Sequence, residues 1–354
     1  MEKLKKILHS TMTKVISTVL VISFVLSGFF FFDFYLIQYN KIKGYWWVFQ
    51  GDKALKKQDL QKAINCYERG VKLHPGHYKA MYNLANIYVV YEDYYSALKN
   101  YKKALLVKPE YEIARIDYAI ILTKTYEIDS AIDEYKKVIE KRPRFLKIPF
   151  LIDTKKSYTY NKGVAYYNMG LAYRTKSLTA GLNRQISKQY LKKASESYEQ
   201  AVLILDNYST NYNLGLVNQL LKNHNQAGYY YCRAIELSPM DYEAHFNLAV
   251  LLNDMKDYKN SQLEFQKAGL LLDSKGEGSK TRYIYNVLDE VNKKIAINTD
   301  PDYYKKQAEK EELEDKSVYK SGKLVIVEPK NKKDDDLKKS FRTCDNKEYF
   351  IGGK

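Results

Sequence analysis

The chain is poor in residues that interrupt helices and in residues that bind metals. Its 354 residues include only 7 Pro and 16 Gly, which is too few for a loop-rich β-sandwich or a collagen-like chain and favours helices. The five histidines show no metal-ligand spacing, and no nucleophile–base arrangement can be proposed from spacing. We therefore expect no enzyme activity, no metal and no cofactor.

Cysteine is equally scarce. The three cysteines, Cys66, Cys232 and Cys344, lie far apart, which excludes a disulfide-dense scaffold and a CxxC zinc site. Cys66 and Cys232 fall in predicted helices, where we expect them to be small buried apolar residues.

The net charge of +16 is unevenly distributed. From Lys141 to Lys193 the sequence has 13 basic residues and one acid, Asp153. This basic section is either a solvated surface or a site for an anionic partner such as lipid headgroups, an acidic polymer or an acidic protein. Nucleic acid is not expected, because no nucleic-acid-binding motif is present. The candidate residues for an anionic partner are Lys155, Lys156, Lys188, Lys192 and Lys193.

One long apolar run stands near the N-terminus. Residues 15–32 contain no charge, and a helix of that length spans about 27 Å, close to the ~30 Å hydrocarbon core of a bilayer. Apolar and aromatic residues continue to Ile37, past Asp33. We predict a transmembrane signal anchor over 15–37, preceded by a cytoplasmic N-terminus over 1–14.

Two other readings of this run are weaker. A buried core helix would show polar residues at a 3.6-residue spacing, which are absent. A cleaved signal peptide would need a small-residue cleavage site, and the best candidate, Leu26-Ser27-Gly28, has leucine where a small residue is required. Four lysines precede the run and two follow it closely, so the positive-inside rule places the repeat-bearing part outside the cytoplasm.

The rest of the chain repeats with a period of 34 residues. Pro75, Pro109 and Pro143 mark the period, and alanines and tyrosines recur twelve and eight residues before each proline. In the second unit an apolar stripe predicts a first helix, and a second helix stops at Pro109. The residues of these two stripes are Met81, Leu84, Ala85 and Tyr88, then Ala97, Tyr101 and Ala104.

This pattern resembles the tetratricopeptide repeat, a helix–turn–helix unit that stacks into a superhelical solenoid. The second unit matches the family pattern well, and the first matches at Trp47, Gly51, Ala63, Tyr67 and Pro75 but departs at Gln50 and Ala54. The predicted fold is all-α, a solenoid of helix–turn–helix pairs preceded by one transmembrane helix. Small residues in the first helices are expected to let the paired second helices approach closely.

The predicted organisation follows from the repeat register. Three repeats over 44–145 are followed by an insertion over 146–162. Three more repeats cover 163–275, the first with an internal insertion around 176–184. A capping helix is predicted over 276–299, a charged helix over 300–320 and a disordered tail over 321–354.

The resemblance implies a ligand groove lined by the first helices. Asparagine can donate to and accept from an extended peptide backbone, and aromatic neighbours supply contact area. The asparagines alternatively serve helix packing, and a weaker option is a carboxylate site at Lys79 or Arg174. The candidate groove residues are Tyr82, Asn83, Asn86, Tyr167, Asn168, Tyr212, Asn213, Phe246 and Asn247.

The sequence thus predicts a single-pass membrane protein that recruits a protein or peptide partner and performs no chemistry. The alternative is an accessory subunit of envelope biogenesis or secretion that binds an anionic polymer or lipid through the basic section. The sequence does not indicate an oligomeric state.

Overall fold

The structure, a computed structural model, describes residues 2–141, 152–181, 183–299 and 344. In these residues the regular structure is entirely helical, which confirms the all-α prediction for this part of the chain. The helices are α1 (Glu2–Lys56), α2 (Leu60–Leu73), α3 (Tyr78–Val90), α4 (Tyr94–Val107), α5 (Glu112–Lys124), α6 (Ile128–Ile139), α7 (Ile152–Thr179), α8 (Arg184–Val202), α9 (Tyr208–Leu220), α10 (His224–Leu237), α11 (Tyr242–Asp254), α12 (Tyr258–Ser274) and α13 (Gly278–Thr299).

The chain divides into two compact units, Met1–Ser130 and Ala131–Lys354. In the first unit α1 packs on α2 and α3 on α4, and contacts of α2 with α3 and of α4 with α5 continue the array. In the second unit the pairs are α7–α8, α9–α10 and α11–α12, joined through α8–α9 and α10–α11, and α13 packs on α12. The predicted helix–turn–helix array is therefore present in both units.

The first helix is unusually long. It runs without a break for 55 residues, so the predicted anchor at 15–37 and the first helix of the first repeat belong to one helix. In the described part of the chain, no helix combines the length and the apolar character needed to cross a bilayer. The anchor stays a sequence-based prediction.

Some predicted segments are described only in part. Residues 142–151 of the first insertion region lie outside the described residues, and from Ile152 onward that region forms the first turns of α7. The second insertion extends α7 to Thr179, and a turn follows before α8 begins at Arg184. The predicted charged helix over 300–320 and tail over 321–354 lie outside the described residues, apart from Cys344.

Close approach of paired helices depends on glycine in three repeats. A Cβ atom added at any of these glycines would lie 2.7 or 2.8 Å from a tyrosine ring on the second helix of the same repeat. These tyrosine side chains are themselves fully buried, so the rings have little room to move. The pairs are Gly51 with Tyr67, Gly170 with Tyr198, and Gly215 with Tyr231.

The turns inside the repeats share an unusual backbone conformation. Five residues other than glycine have φ between 58° and 65°, and within each array they recur every 34 residues. The next helix begins two residues after each of them, and in three turns the residue between is an N-cap aspartate that accepts a backbone hydrogen bond, as Asp93 does from the Ser96 N–H. The five left-handed residues are Gln58, Glu92, Tyr126, Lys222 and Lys256.

Replacing one left-handed residue by glycine should stabilise the protein. The left-handed conformation costs an L-residue about 1–2 kcal/mol, and the greater chain entropy of unfolded glycine offsets only part of this relief. We expect Glu92→Gly to raise the free energy of unfolding by about 0.5–1 kcal/mol in chemical denaturation followed by circular dichroism. Glu92→Ala, which keeps a Cβ, should give no gain, and an equal gain in both variants would contradict this explanation.

A histidine caps α3. The Nδ1 atom of His77 accepts a hydrogen bond of 3.1 Å from the Ala80 N–H, so this nitrogen carries no proton in the capped form. Burial lowers the pKa of His77, and nearby Lys79 adds to the effect, although Asp52 opposes it. Burial also lowers the pKa of His74, whose ring centroid lies 5.7 Å from that of His77.

This cap should make stability depend on pH. Because the pKa of His77 is lower in the folded than in the unfolded chain, protonation favours unfolding. The stabilisation is complete above the ordinary value of 6.5 and decreases as pH falls from there towards the folded pKa. We expect the melting temperature of His77→Asn, which keeps a side-chain cap, to fall less between pH 7.5 and 5.5 than that of the unmodified chain. The His74→Asn variant retains the titrating cap, so its melting temperature should fall more over this pH range than that of His77→Asn. Identical slopes of melting temperature against pH in the two variants would refute the role of His77.

Candidate functional site

The first helices of the first unit carry a hydrogen-bonded polar cluster. The Tyr67 hydroxyl donates to Asp52 Oδ1 over 2.6 Å. Asn83 Nδ2 lies 3.4 Å from the same oxygen and 3.3 Å from the Tyr67 hydroxyl. The predicted groove residue Asn83 thus links α3 to α1, and Asn86 Oδ1 accepts from Tyr101 of its own repeat.

A second bond in this unit joins consecutive first helices. The Tyr82 hydroxyl on α3 donates to Asp117 Oδ2 on α5 over 2.8 Å. Burial raises the pKa of both groups, and their hydrogen bond opposes the shift at Asp117. The Tyr82 ring also lies 5.1 Å from the Tyr111 ring, which covers the N-terminal end of α5.

The same arrangement recurs in the second unit, with asparagine in place of aspartate. Asn213 Nδ2 on α9 lies 3.3 Å from the Tyr167 hydroxyl on α7. Asn247 Nδ2 on α11 donates to the Tyr212 hydroxyl on α9 over 2.8 Å. The tyrosine at one position of a first helix therefore pairs with the polar side chain at the next position of the following first helix.

Asparagines at equivalent positions of the repeat differ in the hydrogen bonds that their side chains make. Asn213 is 8% exposed, and its amide group also donates to the Ser209 carbonyl and accepts from Arg174 Nη1 over 2.7 Å. Asn168 donates to the Val164 carbonyl of its own helix. The Oδ1 atoms of Asn83, Asn168 and Asn247 have no hydrogen-bond donor among the described residues, but of the three only Asn83 and Asn247 line the cavities described next.

Cavities open beside both of these asparagines. One of about 560 Å³, in addition to the two that follow, is lined by Asn247 together with Leu216, Gln219, Leu220, Lys222, His224 and Asp254. In the first unit a cavity of about 340 Å³ lies between α1 and α3 and is lined by Tyr45, Val48, Phe49, Asp52, His77, Lys79 and Asn83. In the second unit a cavity of about 470 Å³ lies among α9, α11 and α13. It is lined by Tyr212, Tyr242, Glu243, Phe246, Asn247, Leu272, Ser279, Lys280, Tyr283 and Ile284.

The second-unit cavity has an aromatic floor and a charged rim. The Phe246 ring lies 5.5 Å from Phe265 and 6.2 Å from Tyr283. Lys280 Nζ lies 5.9 Å from the Tyr242 ring centre and pairs with Glu277. Lys280 and Tyr283 belong to α13, which lies outside the repeat motif, so the motif gives no signal for them.

Three candidate lysines of the basic section are exposed, whereas Lys162, Arg174 and Lys176 are half-buried. Lys188, Lys192 and Lys193 lie on the exposed surface of α8, and none has a carboxylate within ion-pair distance in the described residues. Lys193 Nζ lies 5.7 Å from the centre of the Tyr173 ring. The side chains of Lys155 and Lys156 lie outside the described residues.

Cys232 is more than the small buried apolar residue that the sequence predicted. Its side chain is buried, as expected, but it forms a disulfide with Cys344, 112 residues away, with a Cα–Cα distance of 5.2 Å. No local spacing could have indicated this pair, because the two cysteines belong to distant parts of the chain. Cys66 is a free, buried cysteine.

Comparison with known proteins identifies the repeats. Two sequence profiles, both described as tetratricopeptide repeat, match residues 50–90 and 208–240. No curated protein sequence matches the chain.

Several solved structures are similar to the chain at low sequence identity. PilF of Pseudomonas aeruginosa is 14% identical over 70% of this chain and 98% of its own, with a TM-score of 0.51. MamA of Desulfovibrio magneticus RS-1 (from residue 41 to its end) is 18% identical over 56% of this chain and 96% of its own, with a TM-score of 0.44. YrrB, described as a TPR protein with an unusual peptide-binding site, is 18% identical over 56% of this chain and 88% of its own, with a TM-score of 0.40.

The profile matches fall on α1–α3 in the first unit and on α9 and α10 in the second, the helices that carry the pairs and the tyrosine–polar links. These two segments of the chain are tetratricopeptide repeats.

Proposed function

We propose that this protein is a membrane-anchored interaction scaffold that binds an extended peptide of a partner protein in its groove. The observation that carries the proposal is the 470 Å³ cavity of the second unit, where aromatic rings surround the Asn247 amide. Asn247 Oδ1 is available to accept a backbone N–H, and the rings of Tyr242 and Tyr283 offer contact area to a side chain.

We assign peptide binding to fewer residues than the sequence predicted. Asn213 already uses its amide group inside the protein, so peptide binding there would first break existing hydrogen bonds at a cost of about 1 kcal/mol or more each. Asn247 and Asn83 need no such exchange. We therefore assign the principal contact to Asn247, with Asn83 and its smaller cavity as a second contact.

The anchor and its orientation belong to the proposal. The uncharged run at 15–32 supports an anchor, and the lysines before it favour a cytoplasmic N-terminus. The Cys232–Cys344 disulfide supports an oxidising compartment for the repeats, because such bonds are rare in reducing cytosol.

A second candidate function uses the basic section. Lys188 and Lys192 lie one turn apart on α8, are exposed, and have no ion-pair partner in the described part of the chain. This surface fits an anionic polymer or lipid headgroups, as expected for an accessory subunit of envelope biogenesis or secretion.

Peptide binding can be tested with full-length protein in detergent. After selection from a library of unstructured peptides, Asn247→Ala should weaken binding about tenfold, because one backbone hydrogen bond and the orientation of Tyr212 are lost. Asn168→Ala is the matched control, because Asn168 donates within α7 and lines neither of the two cavities assigned to the peptide. Fluorescence anisotropy measures both affinities, and equal affinities for the two variants would contradict the assignment.

Salt separates the two functions in the same assay. Groove binding should persist near 1 M salt, where the Debye length is about 3 Å, whereas basic-section binding should be lost. Lys188→Gln with Lys192→Gln should abolish retention of polyphosphate or of vesicles rich in anionic lipid, and leave the peptide affinity unchanged. Peptide binding that disappears with salt and with these lysines would favour the second function.

The side of the membrane on which the repeats lie can be tested in intact cells through the state of the disulfide. Thiols are trapped before lysis, and peptides containing Cys232 and Cys344 are then identified by mass spectrometry. If the repeats lie outside the cytoplasm, the two peptides should be recovered joined, and external protease should remove the repeat region. Free thiols at both positions together with protection from external protease would place the repeats in the cytoplasm.

A further inference from the structure

One surface of α1 carries large apolar side chains that are more than half exposed in the described structure of the first unit. Three of them contact neighbours on α1 itself, Tyr35 with Phe34, Tyr39 with Lys43 and Trp46 with Trp47, and Phe49 borders the cavity beside Asn83. Six of them follow one another at spacings of three, four, three, four and three residues. Each is between 53% and 69% exposed. We call this set the α1 seam: Phe32, Tyr35, Tyr39, Ile42, Trp46 and Phe49.

The α1 seam lies opposite the face that α1 uses inside the protein. Gly44, Val48 and Gly51 are buried, and Cβ atoms added at the two glycines would collide with His74 and Tyr67 of the first repeat. At 100° per residue, the mean direction of the seam is roughly 170° from that of these three residues. Packing of α1 into its own repeat therefore leaves the whole seam uncovered.

We propose that the α1 seam joins two copies of this chain in a parallel coiled coil. Alternating three- and four-residue spacing is the heptad pattern, with Phe32, Tyr39 and Trp46 at a positions and Tyr35, Ile42 and Phe49 at d positions. A stripe with this 3.5-residue period fits another helix that has the same period. A second copy presents that helix, and a shared N-terminal direction of membrane insertion would make the pair parallel.

The residues that flank the seam are compatible with this pairing. In a parallel in-register pair, the residue at each g position faces the e position five residues later on the partner helix. This rule places Gln38 opposite Lys43 and Tyr45 opposite Gln50. Neither contact brings like charges together, so no repulsion opposes the register.

A membrane surface accounts for only part of the seam. The distance from Phe32 to Phe49 along the helix is about 26 Å, whereas the headgroup layer adds only about 5–8 Å beyond the hydrocarbon core. Measured from Ile37, the end of the predicted anchor, Tyr39 lies within reach of that layer, whereas Trp46 and Phe49 lie about 14 and 18 Å along the helix and beyond it. The upper part of the seam is therefore open to a protein partner.

Cysteine crosslinking of the full-length chain in lipid nanodiscs tests the proposal. In a Cys66→Ala background, Tyr39→Cys and Ile42→Cys should form disulfide-linked dimers upon mild oxidation, whereas Asn40→Cys, Lys41→Cys and Lys43→Cys should form few. The background without an introduced cysteine reports any exchange with Cys232 or Cys344. Equal crosslinking at all five positions, or none at Tyr39 and Ile42, would overturn the proposal.

A second measurement addresses the apolar contact itself. Ile42→Asp should weaken dimerisation at least about tenfold in mass photometry, because a carboxylate would be buried in the seam. Asn40→Asp adds the same charge on the same helix outside the seam and should leave the dimer intact. A monomeric unmodified chain, or a chain for which Ile42→Asp changes only lipid retention, would show that the seam meets the membrane and would refute the dimer. Both substitutions lie outside the residues lining the groove cavities, so peptide affinity reports separately on the proposed function.

Discussion

The close packing of a second-helix aromatic ring against a small first-helix residue is the constraint on which the repeats depend, and the ring is a tyrosine in every repeat except the last, which has Phe265. It places a phenol ring at the centre of the repeat and therefore brings a hydroxyl into a buried position. An unpaired buried hydroxyl costs about 1–3 kcal/mol, so the first helix must supply a partner. Asp52 does so for Tyr67, Asn86 for Tyr101 and Gln219 for Tyr231. In the fourth repeat, Leu171 stands where Asp52 and Asn86 stand, and the Tyr198 hydroxyl has no hydrogen-bond partner in the described part of the chain.

The links between repeats follow the same rule and explain why the last repeat differs. Tyr82, Tyr167 and Tyr212 each place a hydroxyl against a polar side chain of the following first helix. The last repeat is followed by α13, not by another repeat, and has Phe246 at this position. A phenyl ring needs no polar partner, and it packs instead near Tyr283 of α13. The array therefore ends in an aromatic cavity with the Asn247 amide at its edge.

The sequence predicted the helices better than it predicted the use of their side chains. The period from Pro75 to Pro109 and the small–tyrosine pairs determine the repeat, because both reflect packing within one unit. The roles of Asn213 and Asn247 differ because Arg174 reaches the first and nothing comparable reaches the second. That difference depends on a contact across 39 residues, which a repeat motif does not encode. The disulfide of Cys232 with Cys344 and the part played by α13 in the cavity are non-local for the same reason.

Helix α1 carries the apolar run, part of the first repeat and the α1 seam in one continuous element. A helix that begins at Glu2 and ends at Lys56 has no flexible joint between the apolar run and the first repeat. Its buried face holds the first repeat together, and its exposed face carries the seam. Phe49 belongs to the seam and also lines the cavity beside Asn83. Pairing of two seams would therefore cover one wall of the first-unit cavity.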